Sequence, residues 1–444
     1  MHEDLKAAID GLLPEMHGDL ADLVRIPSVS AASFDAEQVR RSAAKTAELL
    51  EKAGFEGVRM LEIDGAHPAV FGERAGPAGA RTVLLYAHHD VQPPGPAESW
   101  TVAPFEPVER DGRLYGRGSS DDKAGIVIHT GAVRAFGDEV PVTVKVFVEG
   151  EEETGSAHLS DFLVEYGDLL AADVIVIADS GNWRVGVPAL TTSLRGVVSV
   201  FVEVRTMDAG VHSGMFGGAV PDALTTLARV LAGLHDADGN VAVPGLVTGE
   251  APELDLTEEE LRSQAGAVDG VELIGEGSLT TRLWMKPAIS VLAIDAPPVD
   301  EAINQLVPMA RAKVSMRIAP GQDTAVAMDA LVAHIENLPA WGARVTVTPH
   351  ESGEAFALTA DDPRVQAFRD GLAEAWGREA VDMGVGGSIP FVAAFSDAYP
   401  DAAILLTGVA DPTSRAHGPD ESLDLDEFRR GMLAEAIALR NLAS

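Results

Sequence analysis

Val142-Thr143-Val144-Lys145-Val146-Phe147-Val148-Glu149-Gly150-Glu151-Glu152-Glu153-Thr154-Gly155 is the stretch on which the fold turns. Its first half is short, rich in β-branched residues and almost wholly apolar, the pattern of a strand buried on both faces. Its second half crowds glutamates into the turn that follows. A helix start favours such charge, because its free N–H groups point at it. The other reading is a site, since adjacent carboxylates repel one another unless a cation offsets them.

Outward from this stretch the same grammar repeats. Thr82–Tyr86 and Val174–Ala178 are further apolar runs, and Ala124–Phe136 and His158–Glu165 read as helices between them. Strands alternating with helices predict an α/β domain around a largely parallel sheet. Upstream, Leu5, Ile9, Leu12, Met16, Leu20 and Leu23 recur at helical spacing, with Pro14 expected to split the run into two helices. A second helix is expected over Ala36–Ala53, stopping at Gly54.

From Thr191 the pattern changes. Strands are expected at Val197–Val204, Ala288–Ile294, Lys313–Ile318 and Val345–Thr348, with helices at Pro221–Leu234 and Thr324–Leu338. The order βαββαβ is that of a ferredoxin-like module. Gly239–Gly277, rich in glycine, proline and acids, reads as a long loop inside it. After Gly353 the α/β pattern resumes with helix Pro363–Trp376, strand Ala403–Thr407 and helix Leu425–Leu439. One domain, 191–355, is therefore expected to interrupt another formed by 1–190 and 356–444.

Composition narrows the chemistry. The 444 residues contain no cysteine, so a metal would have to be held by histidine and carboxylate, and the chain fits a reducing cytoplasm. A formal net charge of -36 argues against nucleic acid and against docking on anionic lipid. Met1-His2-Glu3-Asp4 is acidic and leads into a helix, unlike a signal peptide, and no apolar run is long enough to span a bilayer. A cytoplasmic protein is the expectation.

Five clusters of acids and histidines fall at or just after the expected strand ends, where open α/β sheets place their ligand crevice. In Tyr86-Ala87-His88-His89-Asp90-Val91 an imidazole precedes a carboxylate by two residues; the pair can act as metal ligand and hydrogen-bond partner, or simply form a turn. In Gly116-Arg117-Gly118-Ser119-Ser120-Asp121-Asp122-Lys123 the acids open a helix, and taken alone they read as plain helix capping by Asp121. The third cluster is the glutamate run. Asp179 ends the run Val174–Ala178, as a turn former or a site residue. His417 lies in Ala416-His417-Gly418-Pro419-Asp420-Glu421, otherwise an ordinary loop.

In their joint order these residues resemble the co-catalytic zinc exopeptidases, a family that includes carnosinase-type non-specific dipeptidases, acetylornithine deacetylase and succinyl-diaminopimelate desuccinylase. The likeness runs from Leu23-Val24-Arg25-Ile26-Pro27-Ser28-Val29-Ser30 to His417. It implies a three-layer α/β catalytic domain with the ferredoxin-like insert as lid and dimerisation domain. It also implies two divalent metal ions per subunit, zinc first, with manganese and cobalt compatible. Asp121 would bridge the ions, His88 and Asp179 would complete one site, and Glu153 and His417 the other. Asp90 would orient His88, and Glu152 would be the general base; spacing alone does not separate Glu152 from Glu151. A cis peptide between Asp121 and Asp122 is implied as well.

Within the family, the dipeptidase branch is the nearest match. His212, in Val211-His212-Ser213-Gly214, resembles a histidine that a partner subunit supplies to the oxyanion. Arg317, and Gly387 and Ser388 in Gly386-Gly387-Ser388-Ile389-Pro390, resemble the groups that hold a substrate carboxylate. Gly384-Val385 stands where dipeptidases often carry Arg-Glu. The resemblance thus implies hydrolysis of a dipeptide by metal-activated water in a homodimer. The alternatives are an N-acyl amino-acid deacylase and, in a different class, a non-catalytic metal-binding protein on the same fold.

Overall fold

The structure, a computed structural model of the chain, describes residues 2–359, 361–387 and 389–443. It comprises two compact units: Met1–Thr192 with Leu358–Met383 and Pro390–Ser444, and Ser193–Ala357 with Gly384–Ile389.

The first unit is built on four adjacent parallel strands, Thr143–Glu149, Thr82–His88, Val174–Ile177 and Ala403–Leu406. Antiparallel strands Ala69–Arg74 and Glu56–Leu61 extend the edge beside Thr143–Glu149. Val83, Leu85, Val144, Val146 and Val176 join a core with side chains of helices Glu3–Val24, Lys123–Arg134, Pro363–Trp376 and Leu425–Asn441. On the other face, Tyr86 stacks on Phe391 at 4.8 Å between ring centroids, and Phe147 meets Phe162 edge-on at 5.9 Å. Helix, sheet and helix give three layers. Burial on both faces is why these strands are continuous apolar runs rather than alternating ones.

One expectation fails here: Pro14 does not split the first helix, which runs unbroken over Glu3–Val24. Proline removes one backbone hydrogen bond, but its ring is exposed, while Leu5, Ile9, Met16, Leu20 and Leu23 stay buried along one stripe. Packing of that stripe outweighs the local loss.

In the second unit the antiparallel sheet has the order Ala288–Asp295, Met309–Ile318, Gly196–Arg205, Arg344–Gly353. Helices Ala223–Ala232 and Thr324–Asn337 cover one face, closing a core around Val200, Val202, Val314 and Met316. This is the ferredoxin-like arrangement the βαββαβ order implies. The long loop expected over Gly239–Gly277 is interrupted by a helix, Glu258–Ala265, started by a capping box between Thr257 and Glu260. The Thr-x-x-Glu signal was readable, but glycine and acids on either side masked it. Among the described residues, no helix is long and apolar enough to cross a membrane.

Candidate metal centre

Parallel strands bring their C-terminal ends to one edge of the sheet, and the first unit's acids gather there. His88 is the last residue of its strand and is fully buried. Its Nδ1 lies 3.1 Å from the backbone oxygen of Asp90 and 3.3 Å from Asp90 Oδ1, which leaves Nε2 facing Asp121 Oδ1 at 3.1 Å. The other oxygen of Asp121 meets His417 Nε2 at 2.9 Å, and Glu153 Oε2 is 3.1 Å from the same nitrogen. Asp121 therefore offers one oxygen to each histidine. Ligand atoms of His88, Asp121 and Glu153, and likewise those of His88, Glu152 and Asp179, lie within 4.8 Å of one another.

Local structure explains how each is aimed. The Asp121–Asp122 peptide is cis, as the resemblance implies. Glu421 holds this turn: its carboxylate accepts from Gly118 N, Ser120 N and Asp121 N at 3.0–3.2 Å and from Arg117 Nη1 at 2.5 Å. Gly118 sits at φ +81°, and a Cβ there would meet Val91 at 2.6 Å, so only glycine fits. Asp90 accepts from the backbone N–H groups of Glu152 and Glu153, tying the glutamate turn to the residues beside His88. Gln92 grips Glu153 from both ends, its N–H to Oε1 and its side-chain amide to the carbonyl.

The structure also separates glutamates that spacing could not. Glu151 is turned aside, accepting from His67 N, His158 N and the His158 ring. Glu152 instead faces His88, 3.9 Å away. His89 bonds the carbonyl of Pro68, and burial lowers its pKa to about 4.

Electrostatically, negative charge is in excess. Among the described residues, no lysine or arginine pairs with Asp121, Asp122, Glu152, Glu153 or Asp179. The nearby Lys123 ammonium is spent on the carbonyls of Leu23 and Ile26. Among the described residues, Asp179 makes no hydrogen bond and buried Asp122 Oδ1 has no partner. Burial, then the charge of Asp121, push Asp179 well above the usual carboxylate range. Burial pushes Glu152 to about 7, and Glu153 adds to this against the pull of His88. Burial opposes charge on His88, but its bonds to Asp121 and Asp90 outweigh that and raise its pKa well above normal. Bonds to Asp121 and Glu153 lift His417 to about 10. Mixed imidazole and carboxylate donors, short of positive charge, suit divalent cations.

The remaining candidates lie in the second unit. His212 is exposed on the strand Val211–His212, with Nδ1 accepting from Gly214 N. Arg317 is half-buried on Met309–Ile318, opposite Ala288 and Val197 in the neighbouring strands. Gly387 has open space where a side chain would stand. Ser388 lies outside the described residues.

The family model for Peptidase family M20/M25/M40 matches residues 84–441. The chain belongs to this family. It is a hydrolase. A cysteinylglycine-S-conjugate dipeptidase from Corynebacterium striatum is 35% identical over 425 residues, 94% of this chain and 93% of the relative. A Cys-Gly metallodipeptidase of Saccharomyces cerevisiae is 26% identical over 465 residues, covering 97% and 96%. The crystal structure of human carnosine dipeptidase 1 superposes with a TM-score of 0.75 at 25% identity, over 99% of this chain and 98% of that one.

Proposed function

We propose that this chain is a two-metal dipeptidase, cleaving the peptide bond of dipeptides with water as the nucleophile. The observation that carries the reading is the uncompensated group of His88, Asp121, Glu152, Glu153 and Asp179 at the sheet edge, with His417 beside it. Asp179, whose charge burial and Asp121 disfavour and which makes no hydrogen bond with a described residue, is costly unless a cation offsets it, so the donor set fits the metals the family implies. His88 and Asp179 would hold one ion, Glu153 and His417 the other, with Asp121 between the two. Bound there, the ions would supply Lewis-acid polarisation of the scissile carbonyl and a lowered pKa for water.

The chain's own residues do the rest. Glu152 takes the water's proton and delivers it to the leaving amine, which a carboxyl group with a pKa near neutrality suits. Asp90 fixes the orientation of His88 and, through the N–H groups of residues 152 and 153, the placement of Glu152. Arg317 and Gly387 would receive the substrate's free carboxylate, and His212 from a second copy the developing oxyanion. A homodimer through the inserted unit is supported by edge strand Ala288–Asp295, where Val291, Leu292 and Ile294 are 42%, 59% and 50% exposed. The names of the relatives favour dipeptides over acylated amino acids as substrates.

A panel of dipeptides assayed beside N-acetyl and N-succinyl amino acids tests this reading. Dipeptides should be turned over at least about ten-fold faster, as one tightly bound group is worth. Faster deacylation would move the chain to the deacylase branch.

A further inference from the structure

The second unit holds a cavity of about 450 Å³ that shares no residue with the acid cluster. It lies among the segments around Asn240 and Gly275, helix Leu279–Trp284 and the start of strand Ala288–Asp295. Leu261, Leu273, Ile274 and Leu279 give it apolar walls.

Its charges run against the rest of the molecule. The chain has 69 acids to 33 lysines and arginines, yet Arg195, Arg282 and Lys286 line the cavity against one carboxylate, Glu276. Among the described residues, every hydrogen bond these three cations make goes to a backbone carbonyl. Arg195 donates to Gly386 and Lys286 at 3.1 and 3.3 Å, Arg282 to Gly277 and Ile274 at 2.8 and 3.4 Å, and Lys286 to Glu276 at 2.7 Å. Carbonyl oxygens orient a cation without neutralising it. None of the three forms an ion pair with a carboxylate among the described residues, and each guanidinium, with five N–H groups, has donors to spare. Arg195 is only 9% exposed, and burial, then the neighbouring Arg317, bring its pKa down to about 10. A buried cation with no counter-charge is a standing cost that a bound anion would remove.

We propose that this cavity is a binding site for a small organic anion, a carboxylate carried on an apolar body. Arg195, Arg282 and Lys286 supply the charge and the leucine and isoleucine walls the apolar contact. The volume suits such a molecule better than a bare inorganic ion, which would leave those walls wet.

Titration calorimetry of the metal-loaded protein with 4-phenylbutyrate and with uncharged 4-phenylbutanamide is the test. The acid should bind about ten-fold tighter or more, since charge-assisted bonds to arginine distinguish the two. The double variant Arg282→Gln, Lys286→Gln should lose that preference while hydrolysing dipeptides at the wild-type rate. Asp121→Asn should bind the acid as wild type does, which separates this site from the metal centre. Should the double variant fold poorly, Ile274→Asp, at a 64% exposed wall position, places a carboxylate in the cavity and should weaken acid binding by a similar factor. Equal affinity for acid and amide, no acid binding at millimolar concentration, or unchanged acid affinity in Ile274→Asp would overturn the proposal. Hydrolysis measured on the same preparations reports on Glu152 separately, so either reading can fail without the other.

Discussion

Glu421 and Asp122 are both buried, and both flank Asp121, one through hydrogen bonds and the other through the chain. Glu421 is satisfied on every side by Arg117, by Ser120 Oγ and by the N–H groups of Gly118, Ser120 and Asp121. Asp122 has one long bond from His88 N at 3.3 Å and an oxygen with no partner. The same contrast separates their surroundings: Glu421 meets a guanidinium and a ring of N–H groups, while the acids around His88 are left in excess. Burial is therefore not what marks the site in this protein. Carboxylates gathered in excess of cations are. The Glu421 bonds hold the backbone that aims Asp121, and the open cluster is where the proposed cations would bind.

The largest effect should come from the open side. Glu152→Gln removes the proposed proton acceptor and none of the proposed ligands, so turnover should fall by ~10²–10⁴ or more while metal content stays at the wild-type level. Loss of metal in this variant would mean that Glu152 belongs to the ligand set instead.

Next comes the closed side. Arg117→Met leaves Glu421 buried with no cation, against Ser120 Oγ and backbone N–H groups, and should cost about 3–5 kcal/mol in denaturant unfolding. Asp179→Asn should do the reverse in metal-free protein, stabilising it by on the order of 1 kcal/mol, because a carboxyl whose folded pKa is raised opposes folding when ionised. Equal signs for the two substitutions would erase the distinction.

The smallest effect is on pH dependence. Glu152 binds its proton more tightly folded, at about 7, than unfolded, so metal-free stability should fall as pH rises from about 4.5 to 7. His88 and His417, also raised, contribute stability below pH ~6.5 that is lost as pH climbs, His417 by about 10. These signs agree; His89, lowered to about 4, and Lys123, lowered to about 7, carry the opposite sign, and because the raised groups outnumber them thermal melts of metal-stripped protein should show a net decline over pH 6–8. Metal-loaded protein should be flatter over pH 6–8, because bound cations replace the protons. A metal-free profile that rises over this range would contradict an excess of negative charge at the sheet edge.

Much of this was legible in the sequence, for a reason that lies in the sheet. Parallel strands deliver their C-terminal ends to one edge, so His88, the glutamate turn and Asp179 could be grouped from strand ends alone. The ferredoxin-like order of the insert was legible in the same way. What was not legible depends on contacts distant in the chain. Glu151 and Glu152 are told apart by His67, 84 residues away, and His158. Gln92 supports Glu153 from a setting with no motif. Glu421 stands four residues after His417 with no local sign of its role, since its partners lie about 300 residues upstream. Pro14 shows the limit from the other side, where a correct local rule lost to a buried stripe of leucines.

The most direct test is metal stoichiometry. Protein loaded with zinc, freed of excess metal and analysed by mass spectrometry of the elements should carry about two equivalents per chain, and Asp121→Asn about one or fewer. A wild-type chain retaining less than one equivalent, or a variant retaining as much as wild type, would contradict the claim that these acids and imidazoles are held in excess to bind a pair of cations.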